Sequence, residues 1–205
     1  MSLLSEAVRA ELRRAYEAPE RHYHDLRHIE TLLGLAQEHA DAIADRDAVE
    51  AAIWFHDAIY DTRRNDNEER SAQLAIARLT GTASKDRIAL IAAMIRATAG
   101  HRLPDFAGAG AGAARDCALF LDFDLAILGS PPAVFAAYDQ AVRREYGWVP
   151  DALWIAGRRQ VLAGFLERPA IYTTPEFRPS HEAPARRNIT EAITRLDREA
   201  GGIRA

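Results

Sequence analysis

The stretch AIWFHDAIYD, residues 52–61, places a histidine and an aspartate side by side in an otherwise apolar segment. Two aromatic residues precede His56 and Asp57, and further apolar residues follow them. Such a segment is expected to be buried, and an uncompensated charge there costs on the order of several kcal/mol. An ion pair and a bound metal ion are the two simplest compensations, and the rest of the chain bears on the choice.

Apolar residues recur at three- to four-residue intervals along most of the chain, as at Leu4, Val8 and Leu12. This spacing is typical of amphipathic helices, and no segment shows the alternation of a half-buried strand. We therefore predict an all-α, single-domain helical bundle of about eight or nine helices over residues 1–205. Its core, at about residues 20–130, is expected to carry the functional residues, with helices at about 131–200 packed onto it.

Several helix ends can be predicted from local signals. Asp25 and Ser84 are candidate N-caps, a third helix is predicted to start near Asp47, and Asn67 to cap a fourth. The last helix is predicted to run from about Pro184 to Ala200, after a proline-containing loop. The glycine-rich segment Gly100 to Gly112 lacks phosphate-loop spacing, and we interpret it as a flexible loop or lid.

Composition excludes several functional classes. The chain has 205 residues, a net charge of −4 and no block of basic residues, so nucleic-acid binding is not predicted. Its one cysteine, Cys117, excludes a disulfide framework and a thiolate zinc site. No apolar run is long enough for a membrane span, and we do not expect the first residues to act as a signal peptide, because Glu6 and Glu11 interrupt their apolar pattern. We expect a cytoplasmic monomer or homodimer without nucleic-acid or membrane partners.

Acidic residues occur in a second apolar stretch, ALFLDFDLAIL at 118–128, which contains Asp122 and Asp124. Two apolar helices that each contain acids suggest convergence on one buried cation. The histidines His24 and His28 lie four residues apart in a third segment. Nitrogen and oxygen ligands together suit Mn²⁺, Fe²⁺, Co²⁺, Ni²⁺ or Zn²⁺, and such a site can supply an activated water near neutral pH.

A histidine, a later His-Asp doublet and a distant aspartate in an all-helical chain resemble the HD-domain superfamily of metal-dependent phosphohydrolases. The resemblance is closest to a bacterial family of predicted HD phosphohydrolases of unassigned substrate, and it covers most of the chain. The segments that carry it are RHYHDLRHI (21–29), AIWFHDAIYD (52–61), NEERSA (67–72), LDFDLAILG (121–129), IYTT (171–174) and ARRNI (185–189).

The resemblance implies a ligand set for one divalent ion (Mn, Fe, Co, Ni, Zn or Mg). His56 and Asp57 match the doublet. His28, which is followed by an apolar residue, matches the first ligand better than its rival His24. Asp124 matches the last ligand better than Asp122.

The remaining roles divide into catalysis and substrate binding. Asp61, Glu68 and His24 are catalytic candidates, which would orient water or transfer a proton; Asp61 would share a helix face with Asp57 if the helix continued. His101 is a candidate for contacting phosphate, or for a position behind the ligands. Arg27 and Arg96, with Arg21 and Arg102, are candidates for a phosphate clamp. A single additional histidine is fewer than two-metal members of the superfamily usually have.

The resemblance implies hydrolysis of a phosphomonoester or phosphodiester, of a nucleotide or another small phosphorylated metabolite. One alternative is an HD module that binds a nucleotide or phosphate without turnover. Another is an iron-dependent HD oxygenase, which requires a second metal.

Overall fold

The computed structural model describes residues 2–106 and 111–203, and the regular secondary structure in those ranges consists of helices joined by loops. The prediction of an all-α fold is confirmed, because nine α-helices and no strand occur in the described residues. The helices are α1 (Glu6–Tyr16), α2 (Leu26–Glu38), α3 (Arg46–Phe55), α4 (Asn67–Leu79), α5 (Lys85–Ala97), α6 (Ala111–Leu125), α7 (Pro132–Glu145), α8 (Asp151–Leu166) and α9 (Arg178–Ile203). Short 3₁₀ turns span Ala40–Ala42 and Ala126–Gly129.

In the described part of the chain, no single helix is both long enough and apolar enough to cross a membrane. The predicted loop or lid at Gly100 to Gly112 lies partly outside the described residues, because the structure does not describe residues 107–110 or the burial of Ala111.

Side-chain caps mark the start of several helices. Asp25 accepts a hydrogen bond from the Arg27 N–H, and Ser84 accepts one from the Arg87 N–H, as predicted. The predicted start of α3 near Asp47 is confirmed, because the helix begins at Arg46, but its N-cap is Asp45, which accepts from the Ala48 N–H, and not Asp47. Asn67 is the first residue of α4 and not its cap, and its side chain bonds to the backbone of Asp61 instead.

The chain divides into two compact units, Met1–Asp124 and Leu125–Ala205. In the first, α3 packs against α1, α2, α4 and α5. Seven of its residues are buried, from Ala48 to Phe55, so the helix is apolar on almost every side. A helix of this kind occupies the centre of a helical unit. The part of the stretch 52–61 that lies in α3 therefore belongs to the core of the first unit.

In the second unit, α9 packs against α8 and against the 3₁₀ turn Ala126–Gly129. A side chain at Gly129 would meet Cβ of His181 at 2.8 Å, so only glycine allows this close approach. The predicted start of α9 near Pro184 is wrong, because the helix begins at Arg178 and includes the proline. Glu182 accepts hydrogen bonds from the backbone N–H groups of Ile171 and Tyr172, and this tertiary contact holds the early turns in place.

Candidate metal centre

Four predicted ligands from three helical regions of the first unit lie together. His28 is in the first turn of α2, where Asp25 caps the helix. His56 is the C-cap residue of α3, and Asp57 lies in the turn that follows. Asp124 is near the C-terminal end of α6. Residues nearly 100 positions apart in sequence are thus brought into one cluster by the packing of apolar helices.

The two histidines face each other through their Nε2 atoms, and each aspartate approaches them through one oxygen. His28 Nε2 and His56 Nε2 are 3.3 Å apart. Asp57 Oδ2 is 3.0 Å from His56 Nε2. Asp124 Oδ1 is 3.2 Å from His28 Nε2 and 3.7 Å from His56 Nε2. One atom from each of His28, His56 and Asp57 lies within 4.8 Å of the other two, the only such group of three or more in the described residues.

These distances fit a divalent ion. Ligands at about 2.1 Å from an ion are about 3.0 Å apart at a right angle and about 3.4 Å apart at a tetrahedral angle. The contacts between neighbouring donors, from 3.0 to 3.7 Å, lie close to those values. Two imidazole nitrogens at this distance need either a proton or a cation between them, since two facing lone pairs repel. The His/Asp cluster could therefore hold a metal ion.

The tautomer of His56 suits a ligand. Its Nδ1–H donates to the Ile53 carbonyl at 2.8 Å, which leaves Nε2 to face the cluster. Burial alone would lower the pKa of His56, but the charge and hydrogen bond of Asp57, with the charge of Asp124, raise it to about 9. Burial would raise the pKa of Asp57, but the same pairing with His56 lowers it. Without a metal ion, a proton on His56 thus compensates the negative charge of the two carboxylates at the position where an ion would bind.

The two imidazoles of the cluster are fully buried, whereas the two carboxylate side chains are slightly exposed. The side chains of His28 and His56 are 2% and 1% exposed, whereas those of Asp57 and Asp124 are 16% and 12% exposed. An exposed carboxylate edge gives water or a small ligand a route to the ligand atoms.

Asp124 has a further partner that local sequence signals do not predict. His101 Nε2 is 2.8 Å from Asp124 Oδ2, so the two carboxylate oxygens are divided between His101 and the ligand histidines. His101 has φ of 45°, the only positive φ of a non-glycine residue in the described ranges. Asp122 is buried too, but two residues along a helix turn a side chain by about 200°. It is Asp124 that reaches the histidines.

His24 borders the cluster. Its ring stacks on Tyr60, with centroids 4.4 Å apart, and lies 6.0 Å from the ring of His28. Its charge lowers the pKa of Asp57. His24 is therefore next to the ligands and half-buried.

Asp61 is not on a continuing helix, because α3 ends at Phe55. It lies exposed in the following loop, where its Oδ1 accepts a hydrogen bond from the Arg63 N–H. The reason for expecting Asp61 on the face of Asp57 is thus wrong. Glu68 lies half-buried in the first turn of α4, beside the Asp61 loop.

Two of the predicted phosphate-binding arginines have acidic partners. Arg96 makes a two-bond ion pair with Glu69, at 2.5 and 2.9 Å. Arg27 has a side chain that is 79% exposed, and it pairs with the capping residue Asp25 at 2.6 Å. Their part in substrate binding, like that of His101, stays a prediction.

No protein-family profile, curated protein or solved structure matches this chain. The resemblance to the HD superfamily therefore stays a prediction from the residues quoted above.

Proposed function

We propose that the chain is a metal-dependent phosphohydrolase whose single divalent ion is held by His28, His56, Asp57 and Asp124. The observation that carries the proposal is the convergence of two histidines and two aspartates. The two histidine Nε2 atoms are 3.3 Å apart, and each aspartate has an oxygen 3.0 to 3.2 Å from one of them. The His-Asp doublet and the order of the four residues along the chain support the HD type of this chemistry.

The protein residues have separate tasks in this proposal. A divalent ion at such a site supplies an activated water and neutralises phosphoryl charge. The Ile53 carbonyl keeps Nε2 of His56 directed at the cluster, and His101 fixes the orientation of Asp124. His24 is half-buried beside the cluster, so we assign to its ring nitrogen the donation of a proton to the leaving oxygen. Asp61 and Glu68 remain candidates for orienting water.

The substrate class is a small phosphorylated metabolite, with nucleotides first among those to test, and we propose that the protein acts in the cytoplasm. The test is elemental analysis of the purified protein, followed by phosphate-release assays on nucleoside phosphates, sugar phosphates and cyclic diesters with Mn²⁺ added. One ion per chain and release of product from at least one class are expected. A protein without bound metal that also fails to bind Mn²⁺ would contradict the proposal.

The alternatives give other results in the same experiments. Retained metal and tight nucleotide binding with no product over long incubation would favour a binding module. Two irons per chain would favour an oxygenase. Either result would replace hydrolysis as the function of the site.

Replacing His101 by glycine is expected to weaken metal binding with little effect on folding. Loss of the contact with Asp124 should lower the association constant for Mn²⁺ about 10- to 100-fold, as for other residues behind metal ligands. Glycine accepts a positive φ without strain, so the free energy of unfolding should change by less than about 1 kcal/mol. Titration calorimetry and thermal unfolding measure the two effects.

The neighbouring Arg102→Ala variant is the control, because Arg102 is an exposed residue in the same loop. It should bind Mn²⁺ as the wild type does. Equal affinity in His101→Gly and the wild type would show that Asp124 does not depend on His101.

A further inference from the structure

Arg21 is a buried arginine beside the metal centre. It is 8% exposed and lies between α1 and α2, in the segment that leads to His28. A buried guanidinium must have its N–H groups bonded, because the loss of hydration is large. Where these groups go therefore indicates what the residue does.

The guanidinium donates to three backbone carbonyls in two different segments. Nη1 bonds to the carbonyl of His24 at 2.9 Å and to that of Asp57 at 2.7 Å. Nη2 bonds to the carbonyl of Ala58 at 3.1 Å. One side chain thus links the start of the His28 segment to the turn that carries Asp57.

Two aromatic rings hold the guanidinium in place. Its central carbon is 4.9 Å from the ring centre of Tyr16 and 5.3 Å from that of Tyr60. The Tyr16 hydroxyl in turn donates to the Trp54 carbonyl on α3, and Tyr60 stacks on His24. The planar guanidinium is therefore held by the hydrogen bonds of its N–H groups and by contacts with two aromatic rings.

We propose that Arg21 is a positioning residue of the metal centre, which sets the distance between the Asp57 carboxylate and the His28 imidazole. This inference rests on the proposed function, because it needs an ion whose ligands must be placed. The residue does not bind phosphate in this account, since its N–H groups are directed at the carbonyls of His24, Asp57 and Ala58.

A lysine at this position would keep the positive charge but lose the fork, which is the planar set of N–H donors of the guanidinium. An ammonium is a compact point charge without the planar geometry that lets one group bridge several carbonyls. Arg21→Lys therefore separates the shape of the side chain from its charge. If placement of the ligands depends on the fork, metal binding changes even though the local charge does not.

The matched control is Arg158→Lys. Arg158 is also 8% exposed, stacks on an aromatic ring and bonds through Nε to Asp139, but it lies on α8 in the second unit. Both variants remove the fork of a buried arginine and both are expected to lower the melting temperature. Only one of them belongs to the metal centre.

The experiment measures Mn²⁺ affinity by titration calorimetry on metal-free protein and the visible absorption spectrum of the Co²⁺ form. Arg21→Lys is expected to bind Mn²⁺ about 10- to 100-fold more weakly and to alter the Co²⁺ spectrum. Arg158→Lys should keep the wild-type affinity and spectrum. Tyr60→Leu, at a half-buried position, is the second variant if Arg21→Lys does not fold, and it should weaken Mn²⁺ binding several-fold.

The outcomes separate the two proposals. If the wild type binds Mn²⁺ and Asp57→Asn does not, the metal centre stands. If Arg21→Lys, or Tyr60→Leu in its place, then shows the wild-type affinity and spectrum, the positioning role is overturned. The same holds if Arg158→Lys loses as much affinity, because the loss would then follow general destabilisation. If the wild type binds no metal, the proposed function and the positioning role both fail.

Discussion

Replacing Asp57 by asparagine is expected to remove the bound ion and the phosphohydrolase activity together. Asparagine has the same size, but its amide lacks the charge that lies 3.0 Å from His56 Nε2. Mutation of a residue that only hydrogen-bonds to a metal ligand already lowers metal affinity about 10- to 100-fold. Loss of a ligand itself should therefore lower the Mn²⁺ affinity at least about 100-fold. Phosphate release should fall to less than about 1% of wild type with it.

The Asp57→Asn protein should still fold, because His56 can lose its proton once its counter-charge is gone. Circular dichroism and thermal unfolding check this point, and metal analysis with the phosphate-release assay checks the main effect. Asp197→Asn is the control, since Asp197 is half exposed and pairs with Arg159 on the surface. Full activity in Asp57→Asn would show that the ligand assignment is wrong.

Metal binding is expected to strengthen as the pH rises towards about 9. Burial alone would lower the pKa of His56, but Asp57 raises it to about 9, so the metal-free protein holds a proton where the ion binds. The ion must displace this proton, and the association constant for Mn²⁺ should rise about tenfold per pH unit, or about 100-fold from pH 6 to pH 8.

The metal-free protein should show the opposite trend. A histidine whose pKa is raised on folding stabilises the fold fully below its ordinary pKa of 6.5, and this contribution is lost as the pH rises through about 9. The free energy of unfolding without metal should therefore fall over this window, while stabilisation by Mn²⁺ grows. Calorimetry in buffers of different ionisation enthalpy counts the released proton. An affinity that stays constant from pH 6 to pH 8 would mean that His56 is neutral in the metal-free protein.

Signals within a few residues allowed much of the fold to be predicted. Asp25 and Ser84 cap helices because their side chains reach N–H groups two or three residues away. The apolar composition of residues 52–61 predicted that α3 would be buried and that the His-Asp doublet would lie in the core. The acids in the second apolar stretch already suggested a shared cation, but the choice of His28 over His24 and of Asp124 over Asp122 rested on the HD resemblance.

Contacts between distant residues could not be predicted. Asp45 caps α3 instead of Asp47, and Arg87 pairs with its carboxylate while Asp116 accepts from its backbone N–H. Glu182 keeps Pro184 inside a helix through bonds to a segment about ten residues earlier. Nothing in the sequence distinguishes an arginine that bonds to backbone carbonyls, such as Arg21, from one that binds phosphate. From the sequence alone, Arg21 is therefore a candidate phosphate ligand.

The end of α3 at Phe55 has an electrostatic consequence for the order of events at the site. The last carbonyls of a helix lack partners within it, and the aligned peptide dipoles place about half a negative charge at that end. His56 and Asp57 lie at this end of α3, so the backbone adds to the negative field of the two carboxylates. A cation is attracted there and a phosphate group arriving alone is repelled. We therefore expect ordered binding, in which the metal enters first and creates the positive charge that the phosphorylated substrate needs.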